Sequence, residues 1–308
     1  MTTLESESKP VFSPAQRRSL SNTLWALLFL APSLLGLLFF LIGPMLASFG
    51  LTFLEWDPLL PSNYTFIGLG NYRELIADPH FWQALGNTLY FIVGYIPLVV
   101  VAGLGVALLL NRGLRGISFF RGAFFMPVVS AWVAVALLWT WIFNPRFGLV
   151  NYLLRLIGID GPAWLFDPNW AMPAIILTSV WKDIGFVSVL FLTGLQSIPQ
   201  EYYEATAIDG ASQWEQFRHI TIPLLSPTTF FVLIISLINS FQVFDQVWIM
   251  TEGGPAGATS VLVEMIVNNA FRYGRMGYAA TISWVLFALV FAVTLVQSRV
   301  QNKWVTYD

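Results

Sequence analysis

Six stretches of the chain are apolar over roughly 20 residues or more, at 24–51, 84–110, 122–143, 170–195, 224–250 and 278–296. A helix needs about 20 residues to cross a hydrocarbon layer. In lipid the backbone polar groups have no water to bond, so each such stretch must be a helix. The expected fold is therefore all-α, a polytopic membrane protein with six transmembrane helices. Composition agrees: 56% of residues are hydrophobic and 10% are charged, against about 25% charged in soluble domains. The 13 Trp and 10 Tyr suit anchoring at the two bilayer faces.

The polar segments between these stretches set the topology. Residues 1–23 read as a polar, disordered tail, 24–300 as the six-span domain and 301–308 as a second short tail. The first apolar run is too long for a signal peptide and does not end in a small-x-small cleavage site, so it reads as an uncleaved anchor. With the N-terminus inside, the inner segments hold Lys9, Arg17, Arg18, Arg112, Arg115, Arg121, Arg218, Arg299 and Lys303. The outer segments hold Arg73, Arg146, Arg155, Arg272 and Arg275. Nine against five favours both termini in the cytoplasm of a multi-pass inner-membrane protein.

The loop at 198–226, between the fourth and fifth stretches, is then cytoplasmic. It is an amphipathic, charge-bearing island between two apolar runs. Glu204, Ala205 and Thr206 suit a helix, Gly210 suits its end, and Pro223 suits the start of the next helix. Glu204-Ala205-Thr206, three residues, Gly210, nine residues, then Ile220-Thr221-Ile222-Pro223 place Glu204 and Pro223 19 residues apart. This pattern resembles the Glu-Ala-Ala loop of the permease subunits of binding-protein-dependent ABC importers. Thr206 stands where a third small residue is usual, and Ile222 where leucine is usual. The resemblance implies a type I importer permease fold. It also implies that this loop docks a separate ATPase, with Glu204 meeting a basic group and Asp209 and Gly210 shaping the turn.

More of the chain carries the same resemblance, over roughly residues 20–305. The runs Ile67-Gly68-Leu69-Gly70-Asn71-Tyr72, Asp78-Pro79-His80-Phe81-Trp82, Asn87-Thr88-Leu89, Asn111-Arg112, Leu114-Arg115-Gly116, Asn151-Tyr152 and Thr251-Glu252-Gly253-Gly254-Pro255 are similar to the carbohydrate-uptake branch. Within it, they are similar to the larger permease of the maltose transporter. The partners so implied are a second, homologous permease, two ATPase subunits that hold ATP and Mg, and an extracytoplasmic sugar-binding protein. No cofactor is expected on this chain.

Two stretches carry polar groups at mid-depth. Ser179, Lys182, Asp183 and Phe186 share one helix face. In the fifth stretch Ser236, Asn239, Ser240 and Gln242 lie near the middle, Ser236, Ser240 and Val243 share a face, and Asp245 lies nearer the outer end. A charge at mid-bilayer costs about 2.5–3.5 kcal/mol on insertion scales, so Lys182 and Asp183 must face protein or water. Ser, Asn and Gln suit sugar hydroxyls, and Phe186 suits a pyranose face. These groups equally suit hydrogen bonding between helices. The resemblance places sugar contacts at positions matching Ser179, Lys182, Asp183, Phe186, Ser236, Ser240 and Val243.

Enzymatic chemistry is excluded on several counts. The chain contains no Cys, no phosphate loop with its Lys, no metal-ligand spacing around His80 and His219 and no nucleophile elbow. The expected function is one half of a sugar translocation pathway, for a di- or oligosaccharide, driven by ATP hydrolysed on another subunit. A polyol or glycerol phosphodiester is the nearest alternative solute. A secondary transporter or channel is the alternative class, and neither would need the Glu204 loop.

Overall fold

A computed structural model describes residues 14–58, 62, 64–112 and 116–304. Of the residues named above, Lys9, Leu114 and Arg115 lie outside the described residues, as do 1–13 and 305–308 of the expected tails. The chain forms two units, 1–51 and 52–308.

In the first unit, α1 runs over Pro14–Leu37, a π-helical turn over Leu38–Ile42, and α2 over Gly43–Leu51. Residues 14–23, expected as disordered tail, are thus helical. Pro14 heads the helix, where its missing N–H has no cost, and no Gly or Pro follows until Pro32. The π turn has a local cause. Pro44 has no N–H to donate, and the preceding turn widens so that the Gly43 N–H bonds the Leu38 carbonyl.

The second unit opens with a hairpin, β1 (Leu54–Trp56) against β2 (Tyr64–Phe66), antiparallel with Leu54 opposite Phe66. Helix α3 (Gly70–Ala77) leads into α4 (Pro79–Leu110). Two short helices follow, α5 (Ile117–Val129) and α6 (Trp132–Ile142), then α7 (Leu149–Leu156) and α8 (Pro168–Ser197). Helices α4 and α8 begin alike. Asp78 and Asp167 accept from the N–H two residues on, at 2.9 and 2.8 Å, and Pro79 and Pro168 occupy the first turn.

Next come α9 (Gln200–Ile208), α10 (Gln213–Gln216), a π turn over Phe217–Thr221, α11 (Ile222–Leu224), α12 (Ser226–Phe241) and α13 (Asp245–Met250). Helix α14 (Leu262–Val267) and α15 (Met276–Trp304) complete the described residues.

Among the described residues four helical segments are long and apolar enough to cross a membrane alone, and the number is six with each of two bent pairs taken as one span. The third span is not one rod. It is α5 and α6, bent by 100°, with Ser130 and Ala131 extended between them. The fifth also departs from a continuous 224–250 helix. Its rod begins after a 61° bend from the 213–224 segment and ends at Phe241, and α13 starts a new helix at Asp245.

The core lies between α4 and α8. Phe91, Val99, Ile175 and Phe191 are buried there. The axes come close because glycine stands at the contact. A Cβ on Gly103 would lie 2.4 Å from Val187 Cγ1, and one on Gly185 would lie 2.0 Å from the Phe124 carbonyl oxygen of α5. Small residues allow this approach in membranes, where apolar burial against lipid gives no net drive.

The asparagines of the sequence motifs pin the loops between the helices. Asn71 Nδ2 donates to the carbonyls of Thr52 and Leu54 at 2.9 and 3.0 Å. Asn87 Nδ2 donates to those of Gly257 and Ser260 at 2.8 and 2.9 Å. Asn151 donates to the Pro162 carbonyl at 3.1 Å and accepts from Trp164 Nε1 at 2.6 Å.

Candidate functional site

A cavity of about 270 Å³ opens where the fifth span breaks. Helix α12 ends at Phe241, and Gln242–Phe244 turn before α13 begins. The last turn of α12 and this connection present Asn239, Ser240, Gln242 and Val243 to the cavity. Helix α8 contributes Ser179 and Asp183, α4 contributes Phe91 and Tyr95, and Trp132 at the start of α6 closes a side. Six of the nine residues expected at a solute site are therefore gathered in one place.

The other three are not. Lys182 is buried, 5% exposed, and its ammonium points to α5. There it donates to the Pro127 and Val128 carbonyls at 3.1 and 3.0 Å. Phe186 lies one turn further along α8, exposed and away from the cavity. Ser236 is buried one turn back on α12, and its carbonyl accepts from Ser240 Oγ at 2.5 Å. The expected face through Ser236, Ser240 and Val243 assumed a continuous helix; the break at Gln242 replaces that face with a helix end.

Polar satisfaction shapes the cavity wall. Tyr95 Oη donates to Asp183 Oδ2 at 2.8 Å. Ser179 Oγ donates to the Ile175 carbonyl at 2.8 Å and accepts from Gln246 Nε2 at 3.2 Å. Gln246 is itself buried, so α8 and α13 are joined across the cavity floor. The Phe91 and Tyr95 rings stack with centroids 5.3 Å apart and planes 10° from parallel. The rings that line the cavity are Phe91, Tyr95, Trp132 and Phe244, and Phe186 is not among them. Tyr95 lies four positions after Phe91, a helical spacing visible in the sequence, but nothing local connects α4 to the fifth span.

The 198–226 loop has a defined shape. Helix α9 carries Glu204 and Ala205, both exposed. Its C-terminus closes in a pair of backbone bonds, Ala211 N–H to Thr206 O at 3.0 Å and Gly210 N–H to Ala207 O at 3.1 Å. Gly210 sits at φ +83°, the left-handed conformation this closure needs, and Asp209 is the last αR residue before it.

Ser212 then opens α10 with a capping box. The Ser212 N–H donates to Glu215 Oε2 at 2.7 Å, and the Glu215 N–H donates to Ser212 Oγ at 3.4 Å. Thr206 Oγ1 accepts from Gln216 Nε2 at 3.3 Å, a contact that alanine in its place could not make. Ile208 and Trp214 are exposed at 88% and 65%, leaving an apolar surface beside Glu204.

Residues 99–305 match the model of the family described as binding-protein-dependent transport system inner membrane component. A probable ABC transporter permease of Bacillus subtilis (strain 168), YurN, is 39% identical over 282 residues, which are 90% of this chain and 96% of that protein. The lactose transport system permease LacF of Rhizobium radiobacter is 38% identical over 276 residues, 88% of this chain and 91% of that one. A crystal structure of a bacterial alginate ABC transporter, in complex with an alginate pentasaccharide-bound periplasmic protein, contains a similar chain. The TM-score is 0.81 at 23% identity, covering 93% of this chain and 96% of that one. The six-span architecture, the 198–226 loop and these matches together place the chain in the family of binding-protein-dependent transport system inner membrane components, the multi-pass permease subunits of ABC importers, whose ATPase is a separate subunit.

Proposed function

We propose that the chain forms half of the translocation pathway for a sugar and that the cavity at the break of the fifth span is its solute site. The observation that carries this reading is the pairing of the aromatic wall with Ser, Asn and Gln groups at a helix end. Rings accept the apolar face of a pyranose, and amides and hydroxyls bond its edge. Relatives named for lactose and for trehalose/maltose uptake support the same solute class. Asp183 and Asp245 line the cavity, whereas Lys182 faces away from it. That charge pattern favours a neutral polyhydroxylated solute over a glycerol phosphodiester.

The partners proposed are a second permease, two ATPase subunits and an extracytoplasmic binding protein. Glu204 with the exposed apolar surface around it is the docking site for the ATPase, which alone holds ATP and Mg. Both termini lie in the cytoplasm, on the side of this loop. ATP binding moves α9, the spans turn from inward- to outward-facing, and the binding protein releases solute to the cavity.

The test is uptake of radiolabelled lactose, maltose and a glycerol phosphodiester in the native host, with the chain deleted and then restored. Restored, ATP-dependent uptake of a sugar that Asp183→Asn impairs is the expected result. Uptake that persists without the ATPase, or that favours the phosphodiester, overturns it.

A further inference from the structure

Lys182 is a buried cation in the membrane that leaves the cavity free, and its contacts have a specific pattern. The 100° bend of the third span removes two helical hydrogen bonds. In a continuous helix the Pro127 and Val128 carbonyls would accept from residues 131 and 132. Ser130 and Ala131 are extended instead; the Pro127 carbonyl keeps a bond from the Ser130 N–H at 3.2 Å, and both oxygens lie at the negative end of α5. They are the oxygens that Lys182 Nζ reaches, at 3.1 and 3.0 Å. Lipid offers no substitute donor.

Two further observations converge on the same joint. Gly185, one turn from Lys182, allows α8 to touch the Phe124 carbonyl oxygen of α5, where any Cβ would lie 2.0 Å away. This contact holds the end of α5 within reach of the ammonium. Nζ also lies 5.0 Å from the centroid of the Trp132 ring, within cation–π range. Trp132 is the first residue of α6 and a wall of the cavity.

We propose that Lys182 is a positioning residue: it caps the broken end of α5, holds the bend of the third span and so sets Trp132 into the cavity wall. The ammonium joins the Ser130 N–H on the Pro127 carbonyl, supplies a donor to the Val128 carbonyl, and lies over the ring on the far side of the bend. Its effect on transport runs through Trp132, so this part rests on the cavity being the solute site.

The absence of Cys makes the bend measurable. Spin labels are placed at Phe119→Cys in α5 and Trp141→Cys in α6, both exposed positions, in the transporter assembled with its partners. The label–label distance distribution is recorded beside the KM for uptake. Lys182→Met keeps the stem and removes the donors. It is expected to lengthen and broaden the distribution and to raise KM by about tenfold, the scale of one lost recognition contact. Lys182→Arg, which can donate to both carbonyls, is expected to keep the wild-type distances. If the Met variant does not accumulate in the membrane, Lys182→Gln, with a single neutral amide donor, takes its place beside Arg.

Trp132→Phe is expected to raise KM at unchanged distances. Unchanged distances in the Met or Gln variant overturn the capping role. A raised KM at unchanged distances means that Lys182 meets solute directly, which also overturns it. Altered distances with wild-type KM in both the Lys182 and Trp132 variants leave the cap standing and remove the cavity as the solute site.

Discussion

Tyr95 Oη donates to Asp183 Oδ2 at 2.8 Å, and this bond joins α4 to α8 at the cavity. It fixes the carboxylate against a ring that is itself stacked on Phe91. Tyr95→Phe keeps the stack and removes the donor. Hydrogen bonds between membrane helices contribute about 0.6–2 kcal/mol, so unfolding in detergent should move down by only a few degrees. The freed carboxylate changes the polar edge of the cavity, and KM should rise several-fold with little change in maximal rate. Equal loss of both in uptake assays would place the bond outside the solute site.

Close helix approach gives an expectation that needs no transport assay. Gly185→Ala drives a methyl group onto a backbone carbonyl, and Gly103→Ala drives one onto the end of a Val187 side chain. Overpacking costs about 1–3 kcal/mol, and a side chain yields more easily than a backbone. Thermal unfolding should show a larger loss for Gly185→Ala than for Gly103→Ala. Equal losses would mean that α5 moves freely against α8.

Gly210 lies at φ +83° with its neighbourhood open, so the cost of Gly210→Ala is conformational, about 1–2 kcal/mol. The variant should insert and retain solute binding, while solute-stimulated ATP hydrolysis by the assembled transporter falls. Glu204→Lys, at an exposed site with no structural bond among the described residues, should leave stability unchanged and abolish co-purification of the ATPase. Retention of the ATPase by that variant would remove Glu204 from the docking surface.

Asn151, on α7, joins that helix to the segment leading into α8 through the Pro162 carbonyl and Trp164. Asn151→Ala leaves buried groups unpaired, at about 1–3 kcal/mol. Thermal unfolding should record that loss, and Trp164 should become more solvent-accessible to fluorescence quenchers. Unaltered quenching would show that the ring is held by packing alone.

Much of this was legible in the sequence because it is local. Asp78-Pro79 and Asp167-Pro168 announce helix starts, Gly210 announces a helix end, and long apolar runs mark the spans. The two breaks were not legible. Met126-Pro127-Val128-Val129-Ser130-Ala131 contains a Pro but no Gly, and Gln242-Val243-Phe244 contains neither. The third span's break is sustained by Lys182, more than 50 residues away, and no window along the chain holds both. Lys182 and Asp183 are adjacent in sequence yet serve different sides of α8, because neighbours on a helix point about 100° apart. Phe186 illustrates the converse. Its spacing matched the polar face, but it does not line the cavity, whose rings come from α4, α6 and Phe244.

The loop between α9 and α12 closes on itself: its turn is bonded through Gly210 and Ala211, its second helix is capped by Ser212, and Tyr203 Oη meets Thr221 Oγ1 at 3.0 Å. Such a segment behaves as a bell crank rather than a tether. On the proposed coupling, a push on Glu204 would pass through the bonded loop to α12, and the first break of the α-helix beyond it is Gln242–Phe244, where the Gln242 and Val243 N–H groups bond only three residues back. On the proposed function, the compliance of the mechanism lies at the cavity itself.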